Sequence, residues 1–149
     1  MEPLELPQDF KEFFELLNSE KVEYLLVGGY AVGLHGYMRA TGDIDAWVNP
    51  TPENATRVVR ALRRFGFSAG SLAEDAFASP QKIFQIGVPP IRIDILTSVS
   101  GLGFDGSYKN RRAADLDGVE VQLISLEDLK TNKRASGRNK DLADLDNLP

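Results

Sequence analysis

The 149-residue chain predicts an α+β domain, and three observations carry that expectation. Segments with apolar residues at i, i+3, i+4 and i+7 are interspersed with short apolar runs whose side chains alternate at period two. Turn signals, notably Gly28-Gly29, "GVPP" and Asp117-Gly118, separate the runs. Composition agrees: 42% apolar residues over this length can bury one real core, and no linker, repeat or second unit interrupts the pattern. A single domain spanning residues 1–149 is therefore expected.

In "DFKEFFELLNSEKVEY", Phe10, Phe13, Phe14 and Leu17 share one helical face, with Asp9 as the expected cap. "EYLLVGG" reads as a strand closed by glycines, and "YAVGLHGYM" as a short helix with Ala31, Leu34 and His35 on one side. "DIDAWV" is a second strand that stops at "NPTP", where Thr51 caps a helix with Pro52 in its first position. That helix buries Ala55, Val58, Val59, Leu62 and Phe65, turns most of its arginines outward and ends at Gly66. "SLAEDAFASP" mixes turn and helix signals. "QKIFQIGVPPIRIDILTS" reads as two antiparallel strands around a turn, and "RRAADLDGVEVQLIS" as another hairpin. Ser125, three residues before Asp128 and flanked by Ile124 and Leu129, marks a capped helix start, and the remaining chain is helical with a break near Gly137.

Composition excludes several function classes. No cysteines and a single histidine, His35, leave no disulfide framework, thiolate site or multi-histidine zinc site, so any metal must be held by oxygen. The opening "MEPLELPQDF" lacks a basic region followed by an apolar stretch, and no apolar run approaches the roughly 18 residues of a membrane span. No membrane role is expected, and the cytoplasm is the default location. The net charge of -5 disfavours a broad, non-specific nucleic-acid binder while leaving room for a local basic patch.

Strand alternation puts Asp43, Asp45 and Trp47 on one face and Ile44, Ala46 and Val48 on the other. In "IRIDIL" it sends Ile91, Ile93 and Ile95 to the core and Arg92, Asp94 and Leu96 to the opposite side. Three clustered carboxylates repel one another, and the usual way to hold them ionised is a hard divalent cation, Mg²⁺ or Mn²⁺. Such a site suits metal-assisted phosphoryl chemistry. The competing reading is a solvated polar face, which suffices where Asp-x-Asp recurs at Asp115/Asp117, in a turn, and Asp144/Asp146, at a helix end. Gly28-Gly29 shifts the balance: a glycine pair between strand and helix lets backbone approach a ligand and leaves N–H groups for an anion such as a triphosphate.

Gly28-Gly29, thirteen intervening residues and then Asp43-Ile44-Asp45-Ala46 resemble the signature of the nucleotidyltransferase superfamily with the DNA polymerase β-like fold. Asp94 matches the third carboxylate that this superfamily carries on a later strand. The resemblance runs from about residue 22 onward, with residues 68–80 contributing least. It is closest to small bacterial nucleotidyltransferases related to AbiEii-type toxins of toxin–antitoxin and phage-defence systems, whose basic closing helices "SLEDLKTNKRASGRNKDLADLDNL" looks like.

The resemblance implies a mixed central sheet flanked by helices, with further helices at the C-terminus. It also implies Mg²⁺- or Mn²⁺-dependent transfer of a nucleotide monophosphate from an NTP, such as ATP, to a hydroxyl of tRNA, protein or a small molecule. Gly28 and Gly29 would hold the triphosphate, Asp43 and Asp45 would bind metal, and Asp94 would complete the second metal site and help deprotonate the acceptor. Within the basic run from Lys130 to Lys140, the resemblance favours Lys133, Arg134 and Lys140 as NTP or acceptor contacts over a solvated helix face. Arg39 is a candidate phosphate contact or a plain surface arginine. His35 is expected to be buried and hydrogen-bonded, and Trp47 either lines the cleft or covers the sheet. The short chain leaves little room for an acceptor domain, which points to a partner such as a cognate antitoxin, or a homodimer, completing the cleft. The alternative function is a catalytically silent module of the same fold that binds a nucleotide or a partner. Three retained, mutually repelling carboxylates argue against it.

Overall fold

The computed structural model describes residues 6–37, 41–67, 74–88 and 91–149. Its first helix, α1 (Gln8–Ser19), buries the anticipated stripe of Phe10, Phe13, Phe14 and Leu17. Asp9 does not cap it: Pro7 precedes the helix with φ -52, and Asp9 falls in the first turn, where its charge favours the helix dipole instead. β1 (Tyr24–Val27) is buried throughout, and α2 (Gly28–Leu34) begins on the first glycine of the pair. β2 (Asp43–Val48) leads to α3 (Pro52–Phe65), whose Thr51 cap accepts the Asn54 N–H and whose end at Gly66 is left-handed. After α4 (Glu74–Ala78) come β3 (Ile83–Val88) and β4 (Ile91–Leu96).

A short helix that the sequence pattern does not announce, α5 (Phe104–Lys109), precedes the hairpin of β5 (Arg112–Leu116) and β6 (Val119–Leu123). α6 (Leu126–Ser136) starts at Ser125, whose hydroxyl accepts the Asp128 N–H, and a left-handed Gly137 separates it from α7 (Asn139–Asn147).

The six strands form one mixed sheet in the order β3-β4-β2-β1-β6-β5. β2 lies antiparallel to β1 and parallel to β4, at the middle of the array. α1 covers one face, since Phe14 packs on Tyr24, whose cross-strand neighbour is Val48, and Phe13 meets Phe65 of α3. The main core therefore lies on the Ile44, Ala46 and Val48 side, and all three are fully buried. The opposite face carries the aspartates. Among the described residues, no helix is long and apolar enough to cross a membrane.

Trp47 shares the aspartate face but is 1% exposed, because Phe104 of α5 packs edge-on against it at 5.2 Å. It covers the sheet and does not line the cleft. His35 ends α2, and its Nε2 lies 2.7 Å from the Ile124 carbonyl oxygen, tying the helix to the end of β6 as a half-buried, hydrogen-bonded residue.

Candidate active site

Register brings the three predicted carboxylates together. In the parallel pairing of β2 with β4, Asp45 stands beside Asp94 and Asp43 beside Arg92, while antiparallel pairing with β1 sets Asp45 beside Val27. Cross-strand neighbours share a face, so Asp43, Asp45 and Asp94 converge, with one oxygen from each lying within 4.8 Å of the others.

Val27 is followed by Gly28, whose φ of +71 turns the chain sharply out of β1. A Cβ at Gly28 would lie 2.1 Å from Asp45 Oδ2. Glycine is thus required there for two reasons: the left-handed backbone, and a carboxylate packed against the bare Cα. Gly28 and Gly29 line the same cleft as the aspartates, a cavity of about 720 Å³. The same cavity is lined by Lys133, Ser136, Arg138 and Lys140, from α6 and the start of α7, and by Ile83, Leu96 and Val99.

Electrostatics strain this cluster, with Asp45 bearing the largest burden. Burial, then the charges of Asp43 and Asp94 and a hydrogen bond with Asp94, push the Asp45 carboxyl up to about 7, against an opposing pull from Lys133. Asp94 is raised too, chiefly by burial, although hydrogen bonds from Arg92 work the other way. The neighbouring Tyr30 phenol is also pushed up, by burial and by Asp43. At neutral pH the Asp45 carboxyl therefore still carries a proton part of the time. An all-oxygen donor set with this excess of negative charge fits a hard divalent cation such as Mg²⁺ or Mn²⁺.

The predicted basic contacts separate into three situations. Lys140 is exposed and lines the cleft. Lys133 lines it too but is only 4% exposed, and its Nζ donates to Asp141 Oδ1 at 3.0 Å and pairs with Asp144 Oδ2 at 3.1 Å. Arg134 is exposed on α6 and is not among the residues lining the cleft. Arg39 lies outside the described residues.

Asp144, which the sequence places at a solvated helix end, is 1% exposed and paired with Lys133. Asp141 is fully buried. Burial disfavours its charge, but hydrogen bonds from Arg138, Ser136 and Lys133 outweigh that and hold its carboxyl well below the usual range. The cluster clamps α6 to α7 and fixes the wall on which Arg138 and Lys140 stand.

Sequence reasoning places Arg92 on the aspartate face without giving it a role. Its Nη2 donates to Asp43 Oδ2 at 2.6 Å, and its Nε to Asp94 Oδ1 at 3.1 Å. Only the register, which aligns Arg92 with Asp43, reveals this.

Comparison with known proteins agrees with the geometry. A family model described as "Nucleotidyltransferase of unknown function (DUF6036)" matches residues 5–148. A candidate nucleotidyltransferase of known crystal structure from Thermotoga maritima superposes with a TM-score of 0.60 at 19% sequence identity, over 92% of this chain and 88% of that one. At that identity the likeness shows the fold, a nucleotidyltransferase-like α+β architecture. No curated protein sequence matches the chain.

Proposed function

The chain belongs to the nucleotidyltransferase family that this model describes, and on that premise we propose that it transfers a nucleotide monophosphate from an NTP to a hydroxyl-bearing acceptor. The observation that carries the reading is the convergence of Asp43, Asp45 and Asp94 beside a glycine turn in one open cleft. In the transfer, the acceptor oxygen forms a bond to the α-phosphorus, the α–β phosphoanhydride breaks and pyrophosphate leaves.

Asp43, Asp45 and Asp94 would hold Mg²⁺ or Mn²⁺, which when bound supplies charge neutralisation at the reacting phosphate and a more acidic acceptor hydroxyl. The chain's own groups do the rest. Gly28 and Gly29 let the triphosphate approach the backbone, and Lys140 and Arg138 offer positive charge in the same cleft. Lys133 acts on the cleft as a fixed charge rather than a mobile contact, because both its partners are buried aspartates. Asp94, a cleft carboxylate beside Asp45, is the group to take the acceptor proton.

The single-domain organisation, the relation to AbiEii-type toxins and the tRNA, protein or small-molecule acceptors belong to the same reading, as do a cognate antitoxin or a homodimer completing the open cleft. The test is incubation with each labelled NTP, Mg²⁺ and total cellular RNA or protein. Label should enter one fraction with the native chain and none with Asp45→Asn. No incorporation, together with no thermal stabilisation by any metal–nucleotide pair, would sink the enzyme reading in favour of the silent module.

A further inference from the structure

The transfer described above gives Arg92 no task, yet its guanidinium is bonded to two of the three clustered carboxylates. Its fork takes both oxygens of Asp94, through Nε to Oδ1 at 3.1 Å and Nη2 to Oδ2 at 3.2 Å, and one oxygen of Asp43 at 2.6 Å. None of its bonds goes to Asp45. A planar guanidinium matches carboxylate lone pairs two at a time, so these bonds use the same electron pairs that a metal ion at Asp94 would need.

A purely structural role explains the arrangement poorly. β2 and β4 are already aligned by five successive parallel pairings from Asp43 with Arg92 to Trp47 with Leu96, and β3 braces β4 from the other side. The strand register does not need a side-chain clamp. The Arg92 side chain is 29% exposed and lines the cleft shared with Gly28 and Gly29, so it can swing on its own rotatable bonds while the backbone stays fixed.

We propose that Arg92 is the resident counter-cation of the aspartate cluster, that a divalent metal engaging Asp94 displaces its fork, and that the freed guanidinium turns into the cleft to hold an anionic oxygen of the nucleotide. The last clause rests on the function proposed above, whereas the exchange rests on the carboxylate geometry alone. Arg92 then has two successive contacts, the carboxylates in the metal-free protein and the nucleotide in the loaded one. Its competition keeps the metal weakly bound until an anionic substrate arrives to accept the displaced charge.

The full chain, labelled with ¹⁵N, tests this directly. The Arg92 Nε–Hε signal, identified by its absence in Arg92→Gln, should shift and exchange faster with water as Mg²⁺ is added. In parallel, Mn²⁺ affinity followed by the loss of the free-ion paramagnetic signal should tighten by at least about tenfold in Arg92→Gln, the equivalent of one of the fork's two charge-assisted hydrogen bonds to Asp94. Arg92→Lys, which keeps the charge without the fork, should fall between the two. An Nε–Hε signal unmoved at saturating Mg²⁺, or Arg92→Gln binding no tighter than the native chain, would overturn the exchange. So would Arg92→Lys binding exactly as the native chain does, since net charge alone would then explain the effect. Absence of Mn²⁺ binding in the native chain and in both variants overturns both the exchange and the metal reading. Exchange without nucleotide transfer overturns only the enzyme reading.

Discussion

Replacing Gly28 with alanine separates what the glycine does for the backbone from what it does for the site. At φ +71 an L-residue costs about 1 to 2 kcal/mol, which lowers the melting temperature by about 2 to 4 °C per kcal/mol in a domain of this size. The new Cβ would also stand 2.1 Å from Asp45 Oδ2, 3.0 Å from its Cγ and 3.3 Å from its Cβ. The group that yields is the carboxylate, because turning it away also relieves its repulsion with Asp43 and Asp94. Stability therefore loses little beyond the backbone strain. The site loses much more: restoring an ordinary contact moves the oxygen by about 1 Å, a displacement that costs about a hundredfold in rate. Gly118→Ala is the control, since its φ of +89 carries the same kind of strain with nothing within 4 Å of the added Cβ. Thermal melts, Mn²⁺ binding and transfer of labelled nucleotide on both variants are the assay. If Gly28→Ala bound metal and turned over like Gly118→Ala, the argument that Asp45 is seated against a bare Cα would be refuted.

The remaining predictions concern charge. A carboxylate whose folded pKa is raised to about 7 keeps its proton while the unfolded chain has lost it, so metal-free protein loses stability between about pH 4 and pH 7, by up to about 4 kcal/mol. Asp45→Asn should flatten that fall, raise the melting temperature of the metal-free protein at pH 8 and abolish transfer; an unchanged pH slope would refute the assignment. Asp141 behaves with the opposite sign: its depressed carboxyl contributes stability that is complete above about pH 4 and is lost as the pH falls further. Asp141→Asn should cost about 3 kcal/mol at pH 7, because Lys133 stays buried with one of its two carboxylates gone, and denaturant unfolding at pH 7 checks it. Trp47→Phe should be tolerated better than Trp47→Ala in the same assay, because Nε1 has no hydrogen-bond partner to lose and the ring contact with Phe104 is largely kept.

What could be read from the chain, and what could not, follows from the reach of each signal. Period-two alternation is local, and it placed Asp43, Asp45 and Asp94 correctly on the face away from Ile44 and Ile93. Capping chemistry is local as well, so Thr51, Gly66, Ser125 and Gly137 mark real helix ends. The partners of those charges are set by register and by the crossing of elements distant in sequence, on which periodicity is silent. Arg92 looks like one more polar-face residue until β4 is laid parallel to β2 and sets it against Asp43. Asp144 repeats the Asp-x-Asp pattern at a helix end, yet packing of α7 on α6 buries it against Lys133. Trp47 was open to the cleft by alternation alone, because α5 is six residues long, contains Gly106 and shows no periodic stripe before it closes over the ring. The residues that repel were thus visible in the sequence, and the counter-charges that make the metal-free cluster tolerable were not. A carboxylate group on a predicted strand face accordingly calls for a search of the neighbouring strand's polar face for the cation that balances it, and here that search ends at Arg92.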